Sequence, residues 1–480
     1  MSTATKDDVL PGYAGTRGLN MWDVDADLRD AVMTRLTDRE AVGRFQAFGG
    51  LVGGKLGELI ETAHRPENLP RLVEKNVGGE RVNAVQYCPE QIDARRAMAR
   101  AIYCSGDLPY IERVTLAVLA NYAGEGGLTC PLVMTEGLIG LLEKRGTPSQ
   151  KALLPKLRSD DAEWAITGGQ YVTERQGGSN VSANETVAVP AADGSYSLTG
   201  LKWFCSNPGE AWVTTAKVEG TDVVALFLVL RRRPDGRLNG HKLLRLKQIG
   251  GTRGKATAEV EYAGARAELI GKPREGLAIL VNEILSVSRM GVAGAALGFA
   301  SRALLEAETF AAWRVAYGRK IGDMPPVKAR LKRMRRERLG MLTAFYKGVD
   351  AVAAGAPEAE ALVPMLKVEI SKRASFLVRE AQLLVGGHGI LDDFSPLNRL
   401  ADDAIVNEIW EGTHPILCGH AAKALRRPRV LEAFLSKIAD KSFASELAAR
   451  VALSRKASDD EKGLGDEDLV GLAYDVVSAS

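Results

Sequence analysis

Apolar residues recur at helical spacing from residue 26 to about 156. DARRAMARAIY (93–103) and IERVTLAVLANYA (111–123) each gather them on one face of a helix. GGLTCPLVMTEGLIGLLEKRGT continues the pattern, with Pro131 near a helix start and Gly146 past a helix end. Residues 1 to about 17 show no period and read as a mobile arm.

At about Asp161 the period changes. WAITGGQYVTE, ETVAVP, SYSLTGLKWFCS, WVTTAKV, DVVALFLVL and TAEVEYAGA are short β-branched and aromatic runs, divided by turns such as AADGS and RRPDGR. No long helix separates them, so residues 162–270 predict an antiparallel β domain; a parallel sheet would need crossover helices. From Leu277 the helical period returns in long segments. The first runs some 40 residues, and its Gly291, Gly294 and Gly298 would let a neighbouring helix approach closely. Two more are predicted over 327–353 and 359–385. KASDDEKGLGDEDLVGLAYDVVSAS reads as a charged linker with a short helix or tail.

The fold class is therefore multidomain α+β. The expected parts are a flexible arm (1–20), a helical N-terminal domain (21–160), an antiparallel β middle domain (161–273), a C-terminal helical bundle (274–428) and a terminal helix and tail (429–480). At 480 residues the chain exceeds what one core usually serves.

Composition narrows the function. Apolar content of 46% and charged content of 26% are ordinary for globular proteins, and a net charge of +3 gives no global field for nucleic acid. Five dispersed cysteines without C-x-x-C exclude a zinc ribbon and suit a reducing cytoplasm. The polar N-terminus lacks a signal-peptide core, and no stretch near 20 residues is apolar without a charge, so no membrane span is expected.

Common catalytic motifs are missing. GGLVGGKL (49–56) nearly matches a P-loop, but Leu56 stands where a Ser or Thr must hold magnesium, so a helix junction is the better reading. No G-x-G-x-x-G follows a strand, no histidine pair has metal-ligand spacing, and no serine sits in G-x-S-x-G. The run 327–342 carries seven basic residues between Lys328 and Arg338, read as a solvated or subunit-facing helix in preference to an anion or nucleic-acid patch. YVTERQGGSN (171–180) offers main-chain donors around Gly177 and Gly178 with hydroxyls at Thr173 and Ser179, and LKWFCSNP follows with two aromatics and Ser206. Near the end, VNEIWEGTHPIL sets Glu411 between Trp410 and a Gly-Thr pair. That carboxylate is either a helix-end residue or a base in an apolar slot.

TERQGGSN, KWFCS, RVAYG, LLVGGHG and IWEGT, in this order on an α–β–α background, resemble the acyl-CoA dehydrogenase superfamily over residues 25 to 425. TERQGGSN with GGLTCPLVMTEGLIGLL is similar to its AidB-like branch. The resemblance implies an FAD-dependent oxidoreductase with a four-helix C-terminal bundle, assembled as a homotetramer or homodimer. By position, it implies that Gln170, Val172 and Thr173 line the flavin, Phe204 packs on it and Ser206 approaches N5. Ser179 would sit near the phosphate end of the ligand and Arg289 near the active site. Arg314 and Tyr317 would meet the adenosine half of FAD from a neighbouring subunit, Gly386 and Gly387 its pyrophosphate, and Thr413 the cofactor beside the glutamate. His414-Pro415 stands where a small-polar pair is more usual.

The implied reaction is α,β-dehydrogenation of an acyl thioester such as an acyl-CoA. Glu411 would remove the Cα proton and flavin N5 would take the Cβ hydride. Desolvation beside Trp410 is expected to raise the basicity of Glu411. An electron-transfer flavoprotein is an expected electron acceptor. The alternatives are an AidB-like flavoprotein that binds nucleic acid or protein with little dehydrogenase activity, and a tailoring desaturase or oxidase. No metal is expected.

Overall fold

The computed structural model describes residues 13–36, 38–104, 106–161 and 163–479. The chain forms two compact units: one gathers residues up to Glu61, Leu108–Glu125 and the part from Arg289 on, the other Thr62–Asp107 and Gly126–Ser288. Segments that the linear reading sets apart are thus joined in space, since a packed face takes its partner from anywhere in the chain.

The second unit is built on β-structure. A hairpin, β1 (Arg71–Lys75) and β2 (Arg81–Gln86), lies inside the stretch predicted as wholly helical. Its turn places Gly79 at φ +80, a conformation that favours glycine. The strands are short and mostly half-buried or exposed, so no strong alternation marks them in the sequence. The larger sheet comprises β3 (Gly168–Tyr171), β4 (Val187–Pro190), β5 (Tyr196–Ser206), β6 (Ala211–Val218), β7 (Val224–Leu230), β8 (His241–Leu246) and β9 (Thr257–Ile270). Pairing runs β4–β5–β9–β7–β6 and back to β4, so the sheet closes on itself, which removes the edges that open sheets must protect. Most pairs are antiparallel, as predicted. The short β3 and β4 instead lie parallel to β6: whole intervening strands carry the chain back, and no crossover helix is required. Inside, Tyr171 stacks on Trp212 at 5.2 Å, and Trp212 Nε1 donates to the Tyr262 hydroxyl at 2.8 Å, which satisfies the polar tips of a large apolar filling.

The first unit is helical. Its long members are Pro325–Ala353 and Ala359–Val385, close to the predicted 327–353 and 359–385. The 41-residue helical run Pro273–Trp313, which belongs to this unit from Arg289 on, contains a π stretch at Leu280–Leu285 ahead of that part. It is long and apolar enough to cross a membrane, although Glu283, Arg289 and Arg302 interrupt the apolar run. Its burial in the first unit marks a core helix: a Cβ at Gly298 would meet Asn121 Cβ at 2.6 Å and the Val118 oxygen at 2.8 Å, and one at Gly294 would meet the Phe345 ring at 3.1 Å. The close approach expected of Gly294 and Gly298 is present.

GGLVGGKL forms the junction between the helices Glu40–Gly53 and Lys55–Ala63, where a Cβ at Gly53 would sit 1.8 Å from the Leu19 oxygen. Of the expected arm, residues 1–12 lie outside the described residues. Tyr13 is buried and stacks on Phe394 at 5.3 Å, so the arm reading does not hold there. The charged linker is also replaced. Lys441–Lys456 and Asp459–Ala479 are helices, and the second buries Val470, Ala473, Tyr474 and Val477. Its acidic residues hide an apolar stripe.

Candidate active-site residues

The second unit carries one group of predicted residues. Gln170 ends up half-buried in β3, where its Nε2 donates to Ser288 Oγ at 3.1 Å. Val172 and Thr173 follow directly. The Trp203 N–H donates to the Thr173 oxygen at 2.9 Å, which ties this loop to β5. Within β5 the pairing register shifts between Lys202 and Cys205, both buried. Such a bulge re-aims side chains, and here it leaves Phe204 with 51% of its surface exposed. Lys247 Nζ lies 3.6 Å from the Trp203 ring centre and 4.7 Å from that of Phe204. Ser206, half-buried, closes the strand opposite Thr257. Ser179 is exposed in the TERQGGSN loop, where Gly178 is required because a Cβ there would stand 2.5 Å from Thr173 Oγ1. An open aromatic face beside main-chain groups and hydroxyls fits a planar, hydrogen-bonding cofactor ring.

Sequence reasoning missed what holds this loop. Lys202 is fully buried, and its Nζ donates to Glu174 Oε1 at 2.7 Å, to the Val172 oxygen at 3.3 Å and to Thr215 Oγ1 at 3.3 Å. Glu174 also accepts from Thr186 Oγ1 and from the Glu185 N–H, both at 2.6 Å. Burial raises its carboxyl, but Lys202 and these donors outweigh that and leave it below the usual carboxylate range. No linear signal marks Lys202, since a lysine in a strand reads as solvent-facing until its partners are known.

The first unit carries the second group. The helix Leu397–Ile409 ends, Trp410 is extended, and Glu411 turns to φ +59 and Gly412 to φ +112. Thr413 then caps the helix His414–Leu425, with Pro415 in its first turn. His414-Pro415 therefore starts a helix, a position where the missing N–H of proline costs nothing. Trp410 Nε1 donates to Asn407 Oδ1 at 3.0 Å. Buried Arg289 donates from Nε to the Glu411 main-chain oxygen at 3.2 Å. Lys367 is again a buried cation that the sequence did not flag. Gly386, at φ +71, ends the helix Ala359–Val385, and Gly387 follows it; both are exposed. Arg314 and Tyr317 are exposed too, Tyr317 at 98% with φ +50, around the small hairpin of Val315–Ala316 with Arg319–Lys320.

The description "Acyl-CoA dehydrogenase, C-terminal domain" matches residues 274–426, and "Adaptive response protein AidB N-terminal domain" matches 14–163. Acyl-CoA dehydrogenase family member 11 of Caenorhabditis elegans is 30% identical over 425 residues, spanning 82% of this chain and 69% of that protein. The putative acyl-CoA dehydrogenase AidB of Escherichia coli is 30% identical over 429 residues, with 83% and 78% covered. The chain belongs to the acyl-CoA dehydrogenase superfamily, in its AidB-like branch. The crystal structure of Caenorhabditis elegans ACDH-11 in complex with C11-CoA superposes with a TM-score of 0.86 at 25% identity, covering 100% of this chain and 89% of that one. The superfamily's multidomain fold is thereby the fold of this chain.

The run 328–338 does not behave as a free basic patch. Lys328 pairs with Asp323, Arg330 and Arg333 with Glu380, Arg335 with Glu308, and Arg338 with Asp25 and Asp27. Arg338 is buried outright and also donates to Ser301 Oγ at 3.0 Å. Five of its seven cations thus have carboxylate partners within the first unit, though only Arg338 among them is buried.

Proposed function

We propose that this chain is an FAD-dependent acyl-CoA dehydrogenase-like oxidoreductase that forms the α,β-double bond of an acyl thioester. FAD, when bound, supplies the acceptor for the hydride leaving Cβ. Gln170, Val172, Thr173, Phe204 and Ser206 would hold its ring portion, and by the family resemblance Thr413 is also a cofactor residue. Arg314, Tyr317, Gly386 and Gly387 hold the rest in a homotetramer or homodimer. Ser179 serves the phosphate end of the thioester's carrier, and an electron-transfer flavoprotein fits as the electron acceptor. The free thiols of all five cysteines fit a reducing cytoplasm.

Glu411 removes the Cα proton with its carboxylate. Its main-chain N–H donates to the thioester carbonyl, which makes that proton more acidic. One observation carries the assignment: Glu411 sits at φ +59, a strained conformation for a residue with a side chain, and Arg289 fixes its main-chain oxygen. The test is anaerobic bleaching of the flavin by a panel of acyl-CoAs. Wild type bleaches with at least one chain length, and E411Q retains the oxidised FAD spectrum but bleaches roughly 1,000-fold slower or not at all. Bleaching of E411Q at the wild-type rate would exclude the assignment. The nucleic-acid reading has no comparable support, because most cations of the basic run already have carboxylate partners.

A further inference from the structure

Lys367 lies near the middle of the helix Ala359–Val385, with none of its surface exposed. Its Nζ donates to the Glu408 main-chain oxygen at 2.9 Å and to that of Gly412 at 2.7 Å. The first of these carbonyls belongs to the last turn of the helix Leu397–Ile409, where carbonyls have no partner within the helix. The second belongs to the turn that follows, where the chain takes two successive positive φ values. Glu411 stands between the two anchored carbonyls, and Arg289 holds its own oxygen. Three main-chain oxygens around one carboxylate-bearing residue are therefore fixed by two buried cations.

An ammonium ion without water is costly. Burial draws the Lys367 amine down to about 8, against the pull of Glu411 and Glu408 and with the push of Arg289. A methionine would fill nearly the same volume at no such cost, so packing alone does not explain the lysine. Its donors do, because without them two carbonyls of the turn lose their partner.

We propose that Lys367 is a positioning residue for Glu411: by tying the carbonyls of Glu408 and Gly412 to one ammonium, it sets the direction in which the Glu411 carboxylate points. The proposal rests on the reading of Glu411 as the base.

The experiment compares the FAD-loaded full chain as wild type, E411Q, K367M and K367R. One readout is solvent-deuterium uptake at Cα of a saturated acyl-CoA under anaerobic conditions. The other is amide hydrogen exchange over residues 406–413 without substrate. Methionine matches the volume and donates nothing; arginine keeps charge and donors in a larger side chain. K367M is expected to retain the FAD spectrum and to slow Cα exchange roughly 100-fold. Its amides over 409–413 should exchange roughly 10-fold faster, and K367R should keep more of both properties. K367M equal to wild type, or better than K367R, would mean that the side chain only fills space, and would overturn the proposal. E411Q exchanging at the wild-type rate would overturn the base reading, and this proposal with it. Loss in E411Q with an unaffected K367M would overturn the proposal alone. If K367M does not fold, K367R decides: Cα exchange within a few-fold of wild type supports the donor role, and its loss refutes it.

Discussion

Arg289 Nε meets the main-chain oxygen of Glu411 at 3.2 Å across 122 positions of sequence. The contact joins a core helix to the turn that carries the proposed base. Burial lowers the arginine's affinity for its proton, and the Glu411 carboxylate counters it. The guanidinium thus acts both as a donor and as a nearby positive charge.

R289Q should therefore slow the reaction without releasing FAD. A hydrogen bond from a charged donor contributes about 1.5–3 kcal/mol, so flavin bleaching at saturating acyl-CoA should fall roughly 10- to 100-fold. Stopped-flow absorbance with the flavin spectrum as loading control measures it. A change confined to KM would place Arg289 in substrate binding and not in the support of the turn.

The buried Lys202–Glu174 pair makes a second prediction. Removing one member leaves the other charge buried and alone, at a cost of about 3–5 kcal/mol. K202M and E174Q should each lower the urea midpoint strongly, and the double variant should lose less than the sum of the two. K202M should also weaken FAD binding, since the Val172 oxygen loses its donor. Additive losses would show that the two groups do not act as a pair.

His241 gives a pH dependence. Burial first, then Arg231 and Arg81, depress its pKa from 6.5 to about 4. The unfolded chain takes up the proton first in this window. Stability is therefore fully present above about pH 6.5 and declines as pH falls toward 4, by on the order of 3 kcal/mol in total. Comparing unfolding midpoints of wild type and H241Q across pH 4–7 isolates this slope, which should be absent from H241Q. Parallel curves would assign the acid sensitivity to other groups.

G298A tests the close helix approach. Alanine gains about 1 kcal/mol of helix propensity, but its Cβ would lie 2.8 Å from the Val118 oxygen, which is backbone and has little freedom to move. Overpacking of this kind costs about 1–3 kcal/mol, so a lower melting temperature is expected. A rise in melting temperature would mean that the helices have room to part.

Long periodic segments were legible in the sequence because their pattern is repeated over many turns. The third long helix has the predicted bounds, 359–385, and the β-branched and aromatic runs of 162–270 hold every strand of the larger sheet but β8, whose HKLLRL has no β-branched residue. The hairpin of β1 and β2 was hidden because its strands are short and mostly half-buried or exposed. The final helix was hidden because the acidic residues of its outer face interrupt the apolar stripe in linear order.

Local sequence determined the chemistry that is available: a glutamate before a glycine, an aromatic beside a hydroxyl, glycines where the backbone must turn. It could not determine which cations would be buried. Lys202, Lys367 and Arg338 look like surface residues in a linear reading, because each is charged and two stand in charged surroundings. Only the tertiary structure supplies their partners, from residues 28, 41 and 313 positions away. The physical reason is desolvation: a charge can leave water only where fixed oxygens replace its hydration, and such oxygens are assembled by the fold and not by neighbours in sequence.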